Sequence, residues 1–320
     1  MEELLETEVE ITGEKDKEPE KLPEYPPFPP IPSGPPIQDR RPFFLGIAVG
    51  AAAMALLAAV AFFLILINRE PEIETVTVRE TVYVPVQATD PTLPPPEKNH
   101  LGPEDFTYNE KGFLTCTAQP SMLGIDVSTY QKEVDWEQVR AAGVEFVMLR
   151  AGLRGYGRAG VMEEDAMVRT HYAGATATGL KVGFYFFSQA TTPAEALEEA
   201  ELTLSIIGDW QVDMPIVYDW EYVEQGRAAN LTPRQVTDCT IAFCQRIREA
   251  GFDAMIYFNA DQSRDNMLLE ELTDYPFWLA MYNGGEMNYE YRIDMWQYTE
   301  TGSVPGIPGS VDINLYFPPV

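Results

Sequence analysis

Asp219 and Glu221 stand two residues apart at the end of the apolar run PIVYDWE, residues 215–221. Such a run reads as a strand, and on a strand residues i and i+2 project from one face. Their Cα atoms are then about 6.6 Å apart at 3.3 Å per residue, while Trp220 points the other way. Two carboxylates this close repel, and one partly withdrawn from water keeps its proton near neutral pH. A carboxyl group of that kind can protonate a leaving oxygen, which is the general-acid step of glycosidic cleavage. Taken alone, the pair also reads as strand-end acids that cap the next helix or pair with Arg150. Two further acids have similar settings. Asp126 lies near the end of LGIDVS, residues 123–128, and Asp312 near the start of VDINLYF, residues 311–317. Each also reads, by itself, as a turn or capping residue.

Whether these acids meet depends on the elements that carry them. From Leu123 onward, short apolar runs alternate with helical patterns. LGIDVS precedes a helix capped by Asp135. FVMLRAG, from Phe146, precedes a helix over about 164–178, and KVGFYFFS, from Lys181, one over about 193–207. PIVYDWE precedes a long helix with Thr232 as N-cap and Pro233 at its first position. AMIYFN, from Ala254, precedes a weaker helix near 266–272. FWLAMY, DMWQYT and VDINLYF follow with little room for helices between them. Five strand–helix units and three more strands make eight strands, and the continuous apolar character of the early ones suits a parallel sheet covered on both faces. The economical fold is an α/β, TIM-like barrel lacking its last helices, over residues 121–320; an open doubly wound sheet is the alternative. No GxGxxG or P-loop follows a strand, so a nucleotide has no cradle.

In a parallel barrel the chemistry sits at the C-terminal ends of the strands. Closure makes the first and last strands neighbours, so Asp126, Asp219, Glu221 and Asp312 would ring one cleft. Aromatic residues gather at the same strand ends, and sugar rings stack on aromatic faces. Strand alternation turns about half of them toward the helix layer. Tyr185, Tyr282 and Trp296 are assigned to the cleft, with Trp278 and Arg150 as further substrate-binding candidates.

The remainder of the chain is of a different character. Residues 1–42 are acidic and then proline-rich (YPPFPPIPSGPP, residues 25–36), a composition that favours polyproline II and cannot bury a core. Residues 43–67 carry no charge over 25 positions, and about 20 suffice to cross a bilayer. The span begins too far from the N-terminus for a typical cleavable signal peptide. Arg40 and Arg41 precede it and Arg69 alone follows closely, which predicts a cytoplasmic N-terminus, an extracellular C-terminal domain and a single pass through the plasma membrane. Gly46 and Gly50 form a GxxxG pair, which permits close pairing of two such spans in a homodimer. Residues 68–120 read as an extracellular stalk.

A net charge of −28 argues against nucleic-acid binding. Cys116, Cys239 and Cys244 do not form a disulfide framework; the last two, five apart on a helix, are separated by about 500° of rotation. With two histidines and neither HExxH nor CxxC, a metal site built on His and Cys is not expected, although an all-oxygen site stays open. No cofactor is expected.

Taken in order, IDVSTYQ (125–131), DWEQVRAAGVEFVMLRAGLRGYG (135–157), GLKVGFYFFSQA (179–190), PIVYDWE, FWLAMY and WQYTETGSVPGIPGSVDIN (296–314) resemble the family 25 lysozymes among glycoside hydrolases. The resemblance covers residues 122–320 and implies a (β/α)5(β)3 barrel cleaving the β-1,4 bond from N-acetylmuramic acid to N-acetylglucosamine in peptidoglycan. It implies Glu221 as general acid and Asp219 as the residue that orients the substrate acetamido group or positions water. It also places the acids of the first and last strands on Asp126 and Asp312. A catalytically silent peptidoglycan-binding module on a membrane anchor is the alternative; the four intact acids speak against it.

Overall fold

The computed structural model describes residues 93–319. The acidic tail, the apolar span with Gly46 and Gly50, and residues 68–92 of the expected stalk lie outside the described residues. Among the described residues no helix is long and apolar enough to cross a membrane.

A hairpin of β1 (Phe106–Tyr108) and β2 (Leu114–Cys116) comes first, paired antiparallel. Then follow β3 (Met122–Val127), α1 (Trp136–Ala142), β4 (Phe146–Arg154), a short β5 (Met162–Glu164), α2 (Val168–Ala177), β6 (Lys181–Ser188), α3 (Pro193–Ile207), β7 (Ile216–Trp220), α4 (Pro233–Glu249), β8 (Ala254–Asn259) and α5 (Ala260–Asp265). The strands β9 (Phe277–Ala280), β10 (Met295–Gly302) and β11 (Val311–Tyr316) close the chain. β3, β4, β6, β7, β8, β9 and β10 run parallel, β11 pairs antiparallel with both β10 and β3, and β3 pairs with β4. The ladder therefore closes into an eight-stranded barrel with a helix after each of its first five strands.

Helix starts follow local chemistry. The Asp135 side chain accepts from Gln138 N and that of Thr232 from Gln235 N, which satisfies amides that have no partner within the helix. Pro193 and Pro233 occupy first-turn positions, where the missing N–H costs nothing. The helical segment after β8 starts earlier than expected, at Ala260, because Asn259 caps it through Asp261 N and Gln262 N; residues 269–271 add only a 3-10 turn. β5 was not expected. It pairs antiparallel with the end of β4.

Period-2 alternation divides each barrel strand between lumen and helix layer. Phe146, Met148, Val217, Met255, Trp278 and Met295 form the buried lumen cluster. A Cβ at Gly124 would lie 2.2 Å from the Phe146 ring, so the base of the lumen accepts that ring only because position 124 is glycine. Outside, α3 and α4 pack over β6 and β7, and Cys239 and Cys244 are both buried there as free thiols.

Residues 97–117 were expected in the stalk but belong to the folded domain. Among the described residues no helix covers the outer faces of β9, β10 and β11, and the hairpin takes that place. Leu114 is 1 % exposed, Leu114 N donates to Tyr298 Oη at 3.4 Å, and Phe106 meets Trp296 edge-on at 5.1 Å. Ahead of the hairpin, Lys98 bridges to Tyr291, and Arg292 N donates to Glu97 O at 2.7 Å. Apolar surface on a helix-free strand must be buried by something, and the alternation in the strands alone does not say by what.

Candidate active site

Asp126 and Asp219 sit near the C-terminal ends of β3 and β7, and Glu221 one residue beyond β7. Asp312 is near the start of β11, and because β11 runs antiparallel its start lies at that same end of the barrel. All four acids line one cleft of about 530 Å³, together with Arg150, Tyr185, Tyr257, Trp278, Tyr282 and Gln297.

Asp126 is buried and held by two amide donors. Gln297 Nε2 donates to its Oδ2 at 2.8 Å and Asn314 Nδ2 at 2.9 Å. Asn314 is oriented by Trp278 Nε1, which donates to its Oδ1 at 2.9 Å. Gln297 is oriented by two phenols: Tyr257 Oη donates to its Oε1 at 3.0 Å and Tyr282 Oη at 2.5 Å. This arrangement leaves no freedom for either amide to flip, since each acceptor oxygen already faces a group that can only donate or must donate to it. Burial raises the Asp126 carboxyl from its ordinary range, against the lowering by Asn314, Gln297 and Asp312. Asp312 is pushed up to about 9 by burial, then by the Asp126 charge and by its hydrogen bond to Asp126. Asp312 is therefore the proton carrier of this pair and donates to Asp126.

Asp219 and Glu221 form a second pair, hydrogen-bonded to each other. Burial, then the Glu221 and Asp126 charges, push Asp219 well up. Burial, then the Asp126 charge, raise Glu221, against the lowering by its hydrogen bond from Asp219, which therefore holds the proton of this pair in the free site. Like charges in a desolvated site cannot all ionise, so this pair too retains a proton. Among the described residues, the one cation lining the cleft is Arg150. That guanidinium is not paired with Asp219 or Glu221. Its ion-pair partner is Asp165, at 2.8 Å, and it lies 5.4 Å from the Tyr130 ring centre. Asp165 also accepts from Thr129 N and Met167 N, at 3.0 and 2.9 Å, fixing the loop that carries Tyr130.

Residues 125–307 match the family model Glycosyl hydrolases family 25. The chain belongs to glycosyl hydrolase family 25. Among curated relatives it is similar to an autolytic lysozyme of Clostridium acetobutylicum, 31% identical over 195 residues, covering 61% of this chain and 56% of that one. It is similar to Lysozyme M1 of Streptomyces globisporus, 26% identical over 259 residues, covering 72% and 84%. The chain thus spans little more than half the length of the clostridial relative. The fold is shared with the modular autolysin LytC of Streptococcus pneumoniae, solved with a synthetic peptidoglycan ligand: TM-score 0.56, 22% identity, 66% of this chain and 50% of that one. It is also shared with a family 25 glycosyl hydrolase from Bacillus anthracis: TM-score 0.52, 17% identity, 69% and 95%.

Within this family 25 domain, eight of the nine expected site residues line the cleft: the four acids, Arg150, Tyr185, Trp278 and Tyr282. Trp296 does not. It is fully buried on the outer face of β10, and its Nε1 donates to Met281 O at 3.0 Å. The lumen-facing positions of β10 are Met295 and Gln297, so alternation turns Trp296 toward the hairpin. Gln297, Asn314 and Tyr257 were not foreseen as site residues. Asn314 had a signal: it is two residues from Asp312, hence on the same face of β11. Tyr130 and Tyr156 at the rim, 78% and 59% exposed, lie on loops that no strand pattern reaches.

Proposed function

We propose that this protein is a muramidase, hydrolysing the β-1,4 bond from N-acetylmuramic acid to N-acetylglucosamine in peptidoglycan. The observation that carries the reading is the meeting of Asp219 and Glu221 with Asp126 and Asp312 in one open cleft. Family membership and the lysozyme relatives support it.

In this reading the proton that Asp219 shares with Glu221 passes to Glu221 as substrate binds, and Glu221 delivers it to the glycosidic oxygen as the C–O bond breaks. The electron pair of that bond leaves with the oxygen. Asp219 Oδ1 is buried without a hydrogen-bond partner among the described residues. A buried acceptor left unpaired is costly, and the N–H of a substrate acetamido group would satisfy it. Asp219 then steadies the acetamido oxygen for attack on the anomeric carbon. Water opens the resulting ring and returns a proton to Glu221. Asp126 and Asp312 supply the negative field that keeps the proton on the catalytic pair. Tyr185 and Tyr282 offer ring faces to the sugars, Trp278, almost wholly buried, holds Asn314 from beneath, and Arg150, paired with Asp165, adds positive charge to the cleft wall.

We further place the enzyme at the outer face of the plasma membrane, tethered by residues 43–67 with the N-terminus in the cytoplasm. The uncharged stretch and the flanking arginines support this placement. A tethered hydrolase acts on nearby wall, which suits remodelling.

The test uses purified full-length protein and its Glu221→Gln variant on purified peptidoglycan, with fragments read by mass spectrometry after borohydride reduction. Fragments ending in reduced muramic acid from wild type but not from the variant are expected. Sedimentation of both with the wall, and no release, would make the domain a binding module instead.

A further inference from the structure

Glu221 lies just past the last ladder pair of β7, Ser188 with Trp220. The sheet therefore does not fix its main chain. Gln189 does: its Nε2 donates to Glu221 O at 2.9 Å and to Ser188 O at 3.0 Å. The Gln189 side chain is fully buried. With two carbonyl oxygens in front of one NH2 group, the amide has one orientation, because reversing it would set Oε1 against both acceptors.

Gln189 is held in turn. Arg227 Nη1 donates to Gln189 O at 2.9 Å. The same guanidinium forks Glu195, with Nη2 to Oε1 at 2.6 Å and Nη1 to Oε2 at 3.0 Å. Glu195, in the first turn of α3, also accepts from Thr191 N and Oγ1 at 2.7 and 2.8 Å. Burial works to raise the Glu195 carboxyl, but Arg227 and Thr191 outweigh it and hold it at about 2, so the fork stays ionised above that pH. Arg227 reaches the cleft wall too, since its main-chain N donates to Tyr156 O at 3.0 Å. A Cβ at Gly160 would come within 2.6 Å of its guanidinium carbon, so the loop bearing Tyr156 lies directly on that group.

We propose that Gln189 is the positioning residue for Glu221, and that the Arg227–Glu195 ion pair locks Gln189 and the Tyr156 loop in register with it. The proposal rests on the reading of Glu221 as general acid. A side chain displaced by about 1 Å from its reacting atom can lose about a hundredfold in rate, while sugar contacts elsewhere in the cleft are untouched. Loss of the Gln189 donor thus affects turnover more than binding.

The test compares full-length wild type, Glu221→Gln, Gln189→Met and Arg227→Lys on solubilised, uncross-linked glycan chains. The readings are kcat, KM, the pH dependence of kcat and the thermal midpoint. Gln189→Met keeps the length of the side chain and removes its donor. We expect its kcat to fall at least about tenfold, with KM within about twofold of wild type and a displaced alkaline limb of kcat. A kcat within twofold of wild type overturns the proposal. So does a loss of kcat with an unmoved pH profile and a parallel rise in KM, which describes general loosening. If Gln189→Met does not fold, Arg227→Lys, which keeps the charge and loses the fork, decides by kcat and its pH profile alone, because Arg227 also supports the Tyr156 rim and so bears on KM. An inactive wild type would instead overturn the muramidase reading, and an active Glu221→Gln the acid assignment.

Discussion

Asp312 stands directly opposite Asp126 across the antiparallel β11–β3 ladder, and the two side chains share a hydrogen bond at the mouth of the barrel. One proton between two carboxyls is the stable state for such a pair in a desolvated site. The consequences for stability, pH dependence and chemistry can each be measured.

The Asp312 proton is held to about 9 in the folded protein, against 3.8 ordinarily. The folded state therefore binds more protons than the unfolded chain across that interval. Its stabilising contribution is complete below the ordinary carboxyl range and is lost as pH rises toward 9. We expect Asp312→Asn, which keeps a donor for Asp126 but has no proton to lose, to raise the thermal midpoint at pH 8 by about 3–6 °C, equivalent to about 1–2 kcal/mol. At pH 5 the gain should be smaller. Scanning calorimetry at both pH values checks this; an equal gain at both would show that the proton of Asp312 is not the cause.

The Asp126 charge is the second cause, after burial, of the raised Glu221 carboxyl. Asp126→Asn removes that charge and keeps an oxygen for Gln297 and Asn314. Removing a negative neighbour favours ionisation of Glu221, so the alkaline limb of kcat should move toward acid. A pH–rate profile of variant and wild type settles it, and a limb that stays or moves toward alkali contradicts the assignment.

If Asp219 steadies a participating acetamido group, the first-formed product keeps the β configuration of the substrate. Proton NMR within the first minutes of reaction, before mutarotation, reads the anomer. An α-anomer released first would leave Asp219 as a water-positioning residue.

The hairpin that covers the helix-free strands should matter to the fold. Leu114→Ala removes a side chain only 1 % exposed and is expected to cost about 2–5 kcal/mol in chemical denaturation, the range for buried leucines. A free stalk segment would show almost no loss.

Sequence alone determined the barrel and its four acids for a local reason. Strand and helix periodicity, the capping residues Asp135, Thr232 and Pro233, and the two-residue spacing of Asp219 and Glu221 are properties of neighbouring positions, and the ordered motifs carried the family. Tertiary structure decided what depends on partners distant in the chain. The inward face of β10 is set by its register against β9 and β11, so Gln297 entered the site and Trp296 left it. Residues 97–117 joined the domain because β9 to β11 needed a cover that no helix among the described residues provides. The pairing of Asp126 with Asp312, from opposite ends of the domain, arises only on barrel closure, and with it the buried field that keeps protons on carboxyl groups. Alternation tells which residues share a face of a strand; only the closed sheet tells which face looks inward.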